Sequence, residues 1–162
     1  MEGKYLELND GTVNYQVPYL KVVPMHFPDP GKLIHIQGAQ DIYEVMKKQY
    51  EKEDGSWLFR EVFYAMMIDT RGKLLGIMKI SEGGKHGCVF EIGFLIAAIS
   101  STMARGVVLV HNHPSGNPEP SRTDNEMTKN TKNVMKMIGC DLMDHVICTP
   151  YGYYSYSNEG KL

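Results

Sequence analysis

Between Val107 and Asp124 the chain reads VVLVHNHPSGNPEPSRTD, and its residue types and spacing suit a metal ion. His111 and His113 follow a β-branched run, Val107 to Val110, that reads as a buried strand. In extended backbone, side chains two apart point to the same side. Pro114 keeps His113 out of the helical region, so the two imidazoles can converge on one point. Ser115, Gly116, Asn117 and Pro118 then turn the chain. Asp124 comes where a helix begins, and its carboxylate can close back on the imidazoles. Two ring nitrogens and one carboxylate oxygen make three ligands for zinc, with the fourth position left to water. That is the coordination of a catalytic zinc rather than a structural one.

Each part also has a plainer reading. A His-x-His pair can be a polar strand terminus. Ser121-x-x-Asp124 is a capping box, with Ser121 as N-cap and Asp124 reaching back from the third helical position. The readings are compatible, because Ser121 can cap while Asp124 turns to a metal. The full run of His-x-His, seven residues, Ser, two residues and Asp is a long pattern of fixed types, and this favours the metal site over the parts taken singly.

This run resembles the JAMM motif of the MPN/JAB metalloprotease family. The longer string HNHPSGNPEPSRTD, with Asp144-His145 downstream and YSYSNEG near the end, is similar to the RadC branch, from about Leu58 to Leu162. The resemblance implies an α/β (α+β) domain of MPN/JAB type, a curved mixed β-sheet flanked by helices, with the metal at the end of the central strand. It implies zinc on His111, His113 and Asp124, and hydrolysis of an amide or isopeptide bond by a metal-activated water. JAMM proteins place a catalytic glutamate on an early strand. Glu61, in the string REVF, matches that context and is the candidate general base; its other reading is an edge-strand charge facing water. In this scheme Ser121 donates a hydrogen bond to the oxyanion. Asp144-His145 reads first as support for the site and only second as a further ligand. One departure is the stretch before the second helix. Relatives carry Pro-Arg-Glu there, and this chain has Cys88-Val89-Phe90-Glu91, which leaves the ligands untouched.

Composition bounds these readings. A chain of 162 residues suits one domain with a real core. Its 43% hydrophobic and 22% charged fractions are globular values and exclude a disordered chain. A net charge of −2 carries no bulk nucleic-acid footprint. Three cysteines, Cys88, Cys140 and Cys148, are odd in number and lack CxxC spacing, so a reducing, cytoplasmic setting is expected. The polar start MEGKYLELNDG has no secretory apolar region. The most apolar stretch, Val89 to Ile99, is too short to span a bilayer and contains Glu91, and it reads as a buried helix.

The remaining elements must position the site. Residues 1–38 read as a β extension of the same domain, with a hairpin at Asn9-Asp10-Gly11, a strand at Leu20 to Val23 and another over Leu33 to Ile36. Nothing there matches the helix-hairpin-helix unit that precedes the metal domain in many RadC relatives. His26 and His35 lack ligand spacing. The metal domain then spans 39–162. Ala39 to about Glu53 is an amphipathic helix, Leu58 to Asp69 a strand holding Glu61, and Leu74 to Ile80 its return. The glycine-rich loop SEGGKHG has no phosphate-binding pattern. After Asp124 a helix runs to about Met137 with Met127, Thr131, Val134, Met135 and Ile138 as its buried stripe, and Gly139 ends it. Leu142 to Cys148 and Tyr151 to Ser157 are the last strands.

Three functions fit: a zinc-dependent peptidase or isopeptidase, a DNA-repair-associated accessory protein, or a non-catalytic scaffold. The kept ligand set speaks against the scaffold, and the absence of a basic tract speaks against nucleic acid. The expected partner is a peptide or an isopeptide-linked protein, with no membrane; no oligomeric state is legible.

Overall fold

A computed structural model describes residues 31, 33–52, 55–83 and 90–162. The hairpin expected at Asn9-Asp10-Gly11, the strand at Leu20 to Val23, His26, residues 84–87 of the SEGGKHG loop, Cys88 and Val89 lie outside these. Five strands form one mixed sheet in the order β2-β1-β3-β4-β5, with β1 Val62–Ile68, β2 Leu74–Glu82, β3 Gly106–Asn112, β4 Asp141–Thr149 and β5 Gly152–Ser155. β1 runs antiparallel to both β2 and β3, and β4 antiparallel to β5. Among the described strands only β3 and β4 are parallel, and the crossover between them is helix α3, Arg122–Met137. Helices α1, Ala39–Glu51, and α2, Ile92–Thr102, complete the α/β domain.

Strand alternation sorts the core into two faces. Val62, Tyr64, Met66 and Ile68 of β1, with Val108 and Val110 of β3, pack on α1 through Ile42, Met46 and Tyr50. Phe63, Ala65 and Met67, with Val107 and Leu109, meet Leu95, Ala98 and Ile99 of α2 and Met135 of α3 on the other face. Every residue of β1 and β3 is buried, as a strand covered on both sides requires.

Local signals explain the boundaries of α3. Ser121 and Asp124 form the capping box at its start. At its end Gly139, with φ +71°, donates to the Lys136 carbonyl and Cys140 to that of Met135, a Schellman closure that buries Cys140 against the helix.

Several expected elements shift. Leu33 to Ile36 forms only an isolated bridge, His35 with Lys73, because this segment meets one turn of the β1–β2 hairpin rather than a full strand. The helix expected at Val89 to Ile99 begins at Ile92, runs to Thr102 and buries one face only, leaving Phe94 half exposed. In α3 the most buried positions are Asp124, Thr128, Thr131 and Met135, while Met127 and Val134 are partly covered and Ile138 is exposed. The last strand stops at Ser155 and excludes Tyr151, which is exposed. The strand expected from Leu58 starts at Val62, after a 3-10 turn over Ser56–Leu58, so Glu61 stands just before β1 and not inside it.

Candidate metal centre

The alternation that sorts the core also aims the histidines. Along β3, Val107, Leu109 and His111 share the α2/α3 face, while Val108, Val110 and Asn112 share the α1 face. His111 is fully buried, and its ring stacks on Phe63, its antiparallel neighbour in register, with centroids 4.3 Å apart. His113 lies just past the strand. Gly116, at φ +79°, donates to the His113 carbonyl at 3.0 Å, and this turn brings the Asn117 carbonyl to 2.8 Å from His113 Nδ1. A carbonyl can only accept, so Nδ1 carries the proton in that bond. The free Nε2 lies 3.0 Å from His111 Nε2.

Helix α3 delivers the carboxylate. Ser121 Oγ accepts from the Asp124 amide at 3.1 Å, and Asp124 Oδ2 accepts from the Ser121 amide at 2.8 Å and its hydroxyl at 2.6 Å. Asp124 Oδ1 is 3.2 Å from His111 Nε2, and Oδ2 is 3.5 Å from His113 Nε2. Asp124 therefore caps α3 and faces both rings at once.

Among the described residues, His111, His113 and Asp124 are the group whose ligand atoms converge, all within 4.8 Å of one another. Zinc–ligand bonds of about 2.0–2.1 Å in a tetrahedron separate ligand atoms by about 3.4 Å. The two Nε2 atoms are 3.0 Å apart, His111 Nε2 is 3.2 Å from Asp124 Oδ1 and His113 Nε2 is 3.5 Å from the other oxygen, Oδ2, so the donors lie at the spacing a shared ion needs and their chemistry fits zinc.

The electrostatics favour a cation at this point. Burial works against charge on Asp124, but the facing His111 and His113 rings in their protonated forms and the Ser121 hydrogen bond hold its carboxyl well below the usual carboxylate range. His111 is driven the other way, because complete burial pushes its pKa down despite Asp124. Burial also opposes charge on His113, yet the Asp124 hydrogen bond, the Asn117 carbonyl and the charges of Asp124 and Glu61 outweigh it and raise its pKa. Glu61 is thus close enough for its charge to act on both rings.

Glu61, Ser121 and Asp124 line one cavity of about 710 Å³, with Phe63, Met127 and Val134 among its apolar walls. Glu61 is half-buried there, which removes the difficulty of an unpaired carboxylate inside a strand. The Ser121 hydroxyl proton is committed to Asp124 Oδ2, so an oxyanion role requires that hydroxyl to rotate.

A family model, the RadC-like JAB domain, matches residues 36–161. The chain belongs to that family. Its relatives include three bacterial proteins, each named only a UPF0758 protein. The one from Syntrophotalea carbinolica is 36% identical over 103 residues, 64% of this chain and 45% of its own length. The one from Chlorobium phaeovibrioides is 31% identical over 127 residues, 78% and 55% of the two chains. The Aquifex aeolicus protein is 26% identical over 147 residues, 91% and 61%. The chain thus spans about half the length of the curated relatives it matches. No helix among the described residues of this RadC-like JAB domain is long and apolar enough to cross a membrane.

Two polar residues of the domain escaped the sequence reading. Asn112, fully buried between the two histidines, faces the opposite way. It accepts from the Val62 amide at 2.8 Å and donates to the carbonyls of Arg60, at 2.8 Å, and Trp57. It grips the chain on both sides of Glu61. The signal was present, since a polar residue continuing the Val108 and Val110 face must find partners inside. Thr128, one turn after Asp124, is the other; its burial broke the apolar stripe. His145, read as support, is fully buried with its Nε2 2.9 Å from His111 Nδ1.

Proposed function

We propose that this domain is a zinc-dependent metallopeptidase or isopeptidase that hydrolyses an amide bond. The observation that carries the reading is the convergence of His111 Nε2, His113 Nε2 and the Asp124 carboxylate beside a cavity that also holds Glu61 and Ser121. His111, His113 and Asp124 would hold zinc. A zinc ion held there would supply a water of lowered pKa and polarise the scissile carbonyl. Glu61, half-buried in the cavity lining, would take a proton from the attacking water as its oxygen bonds the carbonyl carbon, and would pass that proton to the amine as the C–N bond breaks. Ser121 Oγ turns from Asp124 to donate to the oxyanion. The apolar walls exclude bulk water and hold the substrate chain, taken here as a peptide or an isopeptide-linked protein. Membership of the family and the donor chemistry support this assignment.

The test is digestion of a peptide library by the zinc-loaded protein, with Glu61→Gln as control. Cleavage that needs both zinc and Glu61 is expected. A zinc-loaded protein that cleaves no peptide or isopeptide bond, alone or with the remainder of a full-length relative, would remove the peptidase reading. Duplex binding with a steep salt dependence would favour a nucleic-acid role instead.

A further inference from the structure

A closed chain of hydrogen bonds runs behind the candidate ligands. Thr128 Oγ1 lies 2.6 Å from the Asp124 carbonyl and 2.6 Å from His145 Nδ1. A hydroxyl has one proton, and a carbonyl can only accept, so Thr128 donates to Asp124. Its oxygen is then the acceptor for His145 Nδ1–H. A neutral imidazole has one N–H, so His145 Nε2 is a lone pair, and it faces His111 Nδ1 at 2.9 Å. His111 must carry its proton on Nδ1, and its own lone pair falls on Nε2, the atom aimed at His113 and Asp124.

Two alternatives would reverse the chain. If Thr128 donated to His145 Nδ1, a neutral His145 would donate from Nε2, but the Thr128 oxygen would then face the Asp124 carbonyl at 2.6 Å with no proton between them. A doubly protonated His145 would donate from Nε2, push the His111 proton onto Nε2 and block ligation. That requires an imidazolium with no solvent exposure, stacked on Tyr156 at 4.9 Å and 5° and near Phe63, whose ring nitrogens meet His111 and Thr128 and, among the described residues, no carboxylate. Burying an unpaired charge there is costly. The ring is also well held. The Tyr156 hydroxyl donates to Asn125 at 3.0 Å, the Tyr156 amide to the His145 carbonyl at 3.0 Å, and the His145 amide to Asp144 at 2.7 Å. Asp144 is itself fixed by Ser155 and by the Ser157 amide.

We propose that Thr128 and His145 are positioning residues that lock His111 in the Nδ1–H tautomer and so present its Nε2 lone pair to a metal. The chain starts on the backbone of one candidate ligand, Asp124, and ends on another, His111. It therefore ties the register of α3 to the ring of β3 through β4. The inference rests on the metal reading of the cluster, but the tautomer is measurable without metal.

Long-range proton–nitrogen correlation NMR on the nitrogen-15-labelled, metal-free chain reads the tautomers directly. His111 and His145 are both expected with the proton on Nδ1. Chelator competition then reads zinc affinity. His145→Leu and Thr128→Val should weaken binding by about 10–100-fold, the range for loss of such supporting partners. His145→Gln and Thr128→Ser should restore most of it, since glutamine can accept from His111 and donate to Thr128, and serine keeps the hydroxyl. A His111 proton on Nε2 in the native chain overturns the proposal. So does wild-type zinc affinity in folded His145→Leu and Thr128→Val. If the native chain takes no zinc, the metal reading fails, and the tautomer measurement alone decides whether the lock exists. Should the leucine and valine variants not fold, the same measurement on the native chain decides it.

Discussion

Asn112 accepts the backbone amide of Val62 at 2.8 Å across fifty residues of sequence, and through this bond β3 sets where β1 begins. The same side chain holds the Arg60 and Trp57 carbonyls. Asn112→Leu leaves three backbone groups without this partner, at about 1–3 kcal/mol for each that stays buried and unpaired. A loss of at least about 2 kcal/mol is expected from denaturant midpoints. Zinc stoichiometry should stay at the wild-type value, because Asn112 faces away from the cluster. Unchanged stability would show that the clamp does not hold the Glu61 segment.

Glu61→Gln separates the base from the ligands. Glutamine is nearly isosteric and still hydrogen-bonds water, but it cannot take the proton. Zinc content should match wild type while turnover falls by about 10²–10⁴-fold. Wild-type turnover on a verified substrate would exclude Glu61 as the base.

His111→Ala, His113→Ala and Asp124→Ala should each lose zinc, because only two protein ligands remain. Asp124→Ala also removes half of the capping box. Metal analysis after dialysis checks this, and a fully loaded Asp124→Ala protein would sink the assignment.

Ser121→Ala should keep zinc and cost about 1 kcal/mol through the lost cap. Turnover should drop by about 10²–10³-fold if the hydroxyl serves the oxyanion. Thermal melts beside kinetics distinguish the two roles, since a pure cap moves only the melt.

Zinc affinity should fall as the pH is lowered. His113 binds a proton more tightly in the fold than a free histidine does, so its folded pKa lies above the ordinary 6.5. A ligating imidazole must be neutral, and below that pKa zinc has to displace the proton. Chelator competition across pH 5–8 should show affinity rising with pH through this window and then levelling. Affinity independent of pH would remove His113 from the ligand set.

Much of the site was legible because it is local. Strand period two puts His111 and His113 on one side, and a capping box puts Asp124 at a helix start; both follow from spacing along the chain. The amphipathic periods of α1 and α3, and the glycine that closes α3, are short-range signals of the same kind. Tertiary structure decided the rest. No local pattern says that β1 lies between β2 and β3, yet that order brings Phe63 beside His111 and Glu61 to the cavity. The start of β1 at Val62 depends on Asn112, and the ring of His111 on His145 and Thr128, each from a different element. Hydrogen bonds between buried polar groups far apart in sequence carry no periodicity. Their partners are fixed only when the two faces of the sheet close and every buried donor must find an acceptor.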